Sequence, residues 1–168
     1  VIANEEWSYM EKGLIQRITA LNLFLEDIYH DQKIIKDNVI PADVVLSSKG
    51  FLKECMGFSP PKKIWCHITG TDIICNRHGR MLVLEDNLRS PSGVSYVLEN
   101  RELMKGIMPD MFQSGEIRPV ADYPYNLSRL MQFVSGKDRP GMALLTPGIY
   151  NSAYFEHSFL ARQMGIEL

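Results

Sequence analysis

The chain has 168 residues, 45% hydrophobic and 23% charged, with a formal net charge of −2, the balance of one folded domain or slightly more. A chain this long buries roughly 70% of its unfolded surface, so it needs neither disulfides nor a structural zinc. Near-neutral charge supplies no general attraction for nucleic acid or anionic lipid, and no apolar run reaches the roughly 20 residues of a membrane helix.

Val1-Ile2-Ala3-Asn4-Glu5-Glu6 lacks the basic start and apolar centre of a secretory signal. Cys55, Cys66 and Cys75 are therefore read as reduced thiols of a cytoplasmic protein. The Asn126-Leu127-Ser128 triplet is taken as a chance glycosylation match. From a start without Met, and a stop at Gly165-Ile166-Glu167-Leu168 where a new strand is expected to enter, a fragment of a longer protein is expected.

Asn4 is placed to cap a first helix, with Glu5 and Glu6 where the helix dipole favours acids. Trp7, Met10, Leu14, Ile18, Leu21, Leu25 and Ile28 recur at steps of three and four and predict a core-facing stripe to about His30. Gln16 and Arg17 interrupt the next strip and face either a site or solvent. Val44-Val45-Leu46 is a short apolar segment, Ser47–Gly50 leads into a brief helix through Cys55, and Gly57–Lys63 reads as a loop. The period then changes: Ile64–Cys75 and Met81–Asn87 read as strands around a hairpin. Ser90-Pro91-Ser92-Gly93 opens a helix that Pro109 ends, and Asp122–Val134 is a further helix. Ser135–Gly141 is the best linker candidate. Beyond it, Met142-Ala143-Leu144-Leu145 reads as a buried strand and Asn151–Met164 as a helix, the opening of a second, doubly wound domain.

The hairpin carries the chemistry. With His78-Gly79 as the central pair of a two-residue turn, Arg77 pairs with Arg80, and counting outward puts Asp72 opposite Glu85. Asn87 is two residues beyond Glu85 and shares its face. Two opposed carboxylates repel unless a cation lies between them, and two carboxylates with an amide suit magnesium better than zinc or iron. Magnesium completes its shell with water and phosphate oxygens, so a nucleotide phosphate is the expected further ligand. Met81-Leu82-Val83-Leu84 resembles an interior strand running into a site. Arg89 and the hydroxyl-bearing helix start that follows offer a positive charge and an anion site. On residues alone, a solvated acidic face stays open as the alternative.

Thr71-Asp72-Ile73, the hairpin, and Leu84-Glu85-Asp86-Asn87-Leu88-Arg89-Ser90-Pro91-Ser92-Gly93 resemble the metal-binding segment of circularly permuted ATP-grasp proteins, of which glutathionylspermidine synthase is a characterised member. Gly13–Arg17, Val94–Arg101, and Leu145–Gly148 with Asn151–His157 resemble signatures of a large group of uncharacterised bacterial proteins in that family. The resemblance implies a mixed α/β fragment: residues 1–137 as part of an ATP-grasp-like domain, and 138–168 as the first βα unit of a pre-ATP-grasp-like domain. It implies a carboxylate–amine ligase using ATP and Mg2+ or Mn2+ through an acyl-phosphate, with small-molecule or peptide acid and amine substrates.

In that reading Asp72, Glu85 and Asn87 hold the metal, Arg89 is catalytic, and Ser90, Ser92 and Gly93 contact the nucleotide. Asn151, Ser152 and Glu156 are substrate-binding candidates. Gly70 stands where an Arg is expected two residues before the Asp, which weakens any transfer of glutathionylspermidine synthase specificity. The nucleotide clamp is expected downstream of Leu168, so the fragment alone is expected to be inactive. Two other readings stand beside this one. A non-catalytic interaction module would leave the carboxylates solvated; a metal-dependent hydrolase would need a general base, for which only Glu99 or His78 offers itself.

Overall fold

Helix α1 spans Asn4–Tyr29, close to the expected limits. Asn4 is its first helical residue rather than its cap; the Glu6 carboxylate instead accepts the Ala3 N–H at 3.1 Å. Met10 and Ile28 are buried and Leu14, Ile18, Leu21 and Leu25 half-buried, while Trp7 in the first turns is exposed. The computed structural model describes residues 2–168. The chain divides into two compact units, one ending at Pro91 and one spanning Ser92–Leu168.

In the first unit, α1 is the spine. Short helices α2 (Lys33–Lys36) and α3 (Ala42–Leu46) follow it. The Asp27 carboxylate receives the Lys33 and Ile34 amides, both at 2.9 Å, and so caps α2 from the last turn of α1. Ile28, Tyr29 and Val45 form the buried core with Phe24, Leu25, Phe51 and Trp65 around them. Tyr29 stacks between Phe51 and Trp65, at centroid distances of 5.1 and 4.8 Å. Such ring pairs stabilise by about 0.5–1.5 kcal/mol beyond the area they bury.

The approach to the sheet is held by polar contacts. Asn22 Oδ1 accepts the Trp65 and Cys66 amides at 2.8 and 2.9 Å, and Trp65 Nε1 donates to Glu26 at 2.8 Å. Residues 64–69 are thus clamped to α1 as irregular chain, and only Gly70–Cys75 becomes strand β1. Strand β2, Met81–Asn87, pairs with it antiparallel in a two-stranded sheet.

The turn differs from the two-residue expectation. The Asn76 N–H donates to the Arg80 carbonyl at 2.9 Å, leaving a three-residue loop, Arg77–Gly79, with Gly79 at φ 75°. Asn76 Oδ1 accepts both the His78 and Arg80 amides, and Gly79 supplies the left-handed residue that such loops require. Pairs near the turn therefore run Cys75↔Met81, Ile74↔Leu82 and Ile73↔Val83, one residue out of the expected register. A bulge between Ile73/Val83 and Asp72/Glu85 takes up the difference. Leu84 is the extra residue and is 62% exposed. Leu82 and Ile74 are also exposed, so the apolar run is not an interior strand among the described residues.

The second unit is helical: α4 (Val94–Ile107), α5 (Pro109–Gln113), α6 (Tyr123–Ser135) and α7 (Tyr154–Met164). Leu98, Phe159 and Ala161 are buried, and Tyr96, Phe155 and Phe159 form a run of ring contacts. Arg101 holds the α5–α6 connection by donating to the Arg118 carbonyl at 2.7 Å, with its guanidinium 5.8 Å from the Phe112 ring. The expected buried strand at Met142–Leu145 is instead extended chain, with one parallel bridge, Ala143↔Glu167, and Leu145 92% exposed. The last residues do turn back beside it: the Leu144 amide donates to the Glu167 carbonyl at 2.9 Å. Among the described residues no helix is long and apolar enough to cross a membrane.

Candidate functional site

Asp72 and Glu85 are register partners, which puts their Cβ atoms about 4.5–5.5 Å apart. Both are exposed, and among the described residues no lysine, arginine or histidine forms an ion pair with either. The bulge creates this pairing. Without the bulge, the register from the turn would set Leu84 opposite Asp72; with Leu84 bulged out, Glu85 arrives there. Re-aiming one side chain beside a site is a common use of a bulge.

Asn87 is paired with Gly70 and its Nδ2 donates to Glu85 Oε1 at 3.3 Å. That bond turns the amide towards the carboxylate and leaves Asn87 Oδ1 as an acceptor. The donor set is oxygen only, doubly negative and open to water, which fits a hard divalent cation with free positions for other ligands. It contains only two acidic groups, and no cluster of three or more His, Cys, Asp or Glu suited to a metal exists among the described residues.

Asp86 lies between Glu85 and Asn87 but points the other way, towards α1. Arg17 Nε donates to its Oδ2 at 2.7 Å and Thr71 Oγ1 to its Oδ1 at 2.9 Å. Its side chain is 8% exposed. Arg17 thus faces neither the Asp72–Glu85 pair nor solvent alone: it reaches the back of the hairpin, with its side chain 46% exposed. Gln16 lines a groove of about 580 Å³ with Tyr9, Lys12, Ile73 and Met81, on the α1 side of the hairpin. The inward direction of Asp86 follows from strand alternation, but its partner 69 residues away carries no local signal.

Arg89 and Ser90 are exposed beyond Asn87 in the first unit, and Ser92 is exposed at the start of the second. The α4 N-terminus does not offer the open anion site expected of it. The Glu156 carboxylate accepts the Gly93 amide at 2.6 Å and the Ser95 amide at 3.4 Å, and Ser95 Oγ donates to the Glu156 carbonyl at 3.4 Å. Glu156 is 6% exposed and Ser95 fully buried. A carboxylate from α7 thereby fills the place an outside anion would take. Burial pushes the Tyr123 phenol up, and the Glu156 charge adds to the shift.

Asn151 is also engaged locally: its Oδ1 accepts the Ala153 amide at 2.9 Å, closing the turn into α7, which begins three residues later than expected. His157 Nδ1 lies 2.9 Å from Thr146 Oγ1, which accepts the Gly148 amide at 3.1 Å. Ser152 is exposed.

Residues 1–168 match the family described as circularly permuted ATP-grasp type 2. The chain belongs to that family. An uncharacterized Synechocystis protein is 57% identical over the whole chain, which covers 35% of that protein. An uncharacterized Mycobacterium tuberculosis protein is 48% identical, with 31% of its length covered. A Frankia casuarinae protein bearing the name "Putative glutamate--cysteine ligase 2-2" is 35% identical, with 20% of its length covered. The chain thus spans about a third or less of these relatives.

Within this ATP-grasp chain, the glycine in place of an expected Arg at position 70 has a steric reason. A Cβ built on Gly70 would lie 2.8 Å from Pro91 Cβ. Pro91 closes over β1 where the chain leaves the hairpin, and any side chain at position 70 would have to displace it.

Proposed function

We propose that this chain is the metal- and acyl-phosphate-facing part of an ATP-dependent carboxylate–amine ligase. Membership of the ATP-grasp family supports an ATP-using enzyme, and the name of the Frankia casuarinae relative supports a ligase. The observation that carries the reading is the pairing of Asp72 with Glu85, with Asn87 beside them and no basic partner for either acid among the described residues.

In this reading ATP phosphorylates a carboxylate substrate, and an amine displaces phosphate from the acyl-phosphate, leaving an amide, ADP and inorganic phosphate. Asp72 and Glu85 provide two anionic oxygen donors and Asn87 a neutral one. Bound Mg2+ or Mn2+ would offset the charge on the phosphates during transfer. Arg89, exposed two residues past Asn87, supplies a guanidinium that can pair with a phosphate or carboxylate oxygen. The Gly93 amide is not assigned to the nucleotide, because Glu156 holds it. Ser90, in the same unit as the metal-facing residues, keeps an exposed hydroxyl for that role.

The test follows ADP release by the full-length protein with ATP, Mg2+ and a panel of acids and amines that includes glutamate and cysteine. Wild type is expected to release ADP only when an acid and amine pair is present. Asp72→Asn/Glu85→Gln is expected to lose that activity. Equal ADP release by wild type and the double variant across the panel would sink the ligase reading.

A further inference from the structure

The three metal-facing side chains are exposed and held by few contacts of their own. Only Asn87 touches another of them, at 3.3 Å. What holds the backbone beneath them is on the other face of the hairpin. Asp86 sits between Glu85 and Asn87 in sequence, with its nearly buried carboxylate bonded to Thr71, the neighbour of Asp72, and to Arg17 of α1. A single carboxylate therefore ties together the strand bearing Asp72, the strand bearing Glu85 and Asn87, and the helix behind both. It acts one step beyond the Leu84 bulge, where the strand could otherwise slip by a residue and put Leu84 opposite Asp72. The Arg17 contact is charge-assisted and short, so it resists such a slip better than a neutral bond would.

We propose that Arg17, Asp86 and Thr71 form a positioning network that locks the bulged register and thereby sets the geometry of the divalent-cation site formed by Asp72, Glu85 and Asn87. The proposal rests on the metal-site reading above. None of the three residues is assigned contact with the cation. Their effect passes through the backbone of positions 72, 85 and 87.

Binding of Mn2+ alone to the full chain, followed by electron paramagnetic resonance, tests this without turnover. Wild type is expected to bind Mn2+, and Asp72→Asn/Glu85→Gln to lose it. Arg17→Met and Thr71→Val are each expected to weaken binding by about tenfold, the lower end of the range for residues that orient metal ligands. The zero-field splitting of the bound ion should change as well, a signature that reduced stability alone would not alter. Arg17→Lys, which keeps the charge, is expected to recover much of the affinity, and it guards against the other variants simply failing to fold.

The outcomes separate the two readings. If wild type binds Mn2+ and the ligand variant does not, but folded Arg17→Met and Thr71→Val match wild type in affinity and spectrum, the network has no positioning role and the metal site stands. Should wild type bind no Mn2+, or the ligand variant bind it equally well, both the metal site and the network proposal fall.

Discussion

In the first unit Asp72 and Glu85 stand opposite one another in water with no basic partner among the described residues, whereas in the second Glu156 is buried and receives two backbone amides. Asp86, one residue from Glu85, belongs with Glu156: nearly buried and bonded to both Arg17 and Thr71. A buried carboxylate without partners would be strongly unfavourable, so the fold satisfies Glu156 and Asp86 from within. An exposed pair faces no such demand, and its mutual repulsion is tolerated because water screens it. Burial and partnership thus separate acids that build this molecule from acids available to a ligand.

That contrast can be broken by substitution. Glu156→Ala is expected to have the largest effect on stability, a loss of about 2–3 kcal/mol, because it leaves the Gly93 and Ser95 amides unpaired near a buried serine. Urea denaturation of the variant measures it, and a loss below about 0.5 kcal/mol would mean the carboxylate is not holding α4. Gly70→Ala should cost less, about 1–2 kcal/mol, as the new methyl group pushes on the Pro91 ring. Its sharper readout is weaker Mn2+ binding, since Gly70 is the register partner of Asn87. Asp72→Asn should have the smallest effect on stability and the opposite sign. Relieving the repulsion with Glu85 is expected to raise stability by about 0.5 kcal/mol without a divalent cation, and thermal melts with and without Mg2+ check this. A clear destabilisation would move Asp72 into the class of Glu156.

The long amphipathic helix, the helix ended by Pro109 and the helix from about Asp122 were legible because apolar spacing and proline are local signals. A two-residue turn would pair Asp72 with Glu85 directly, but the chain makes that pairing by another route. A three-residue loop shifts the register one way, and the bulge at Leu84 shifts it back. Neither is visible in apolar alternation, because Met81-Leu82-Val83-Leu84 is uniformly apolar. The same uniformity suggested an interior strand, while the described sheet has two strands and leaves Leu84 exposed.

The sequence by itself determined which residues could serve as metal donors, because side-chain chemistry and a spacing of two along a strand are properties of the chain alone. It also determined membership of the ATP-grasp family, a match that covers residues 1–168. Tertiary structure decided what each acid faces. Arg17 reaches Asp86 across 69 residues, and Glu156 reaches the start of α4 across 63. Contacts at such separations depend on where helices pack, and local pattern says nothing about them. That packing distinguishes the opposed pair left open to a cation from the carboxylates already engaged in holding the fold.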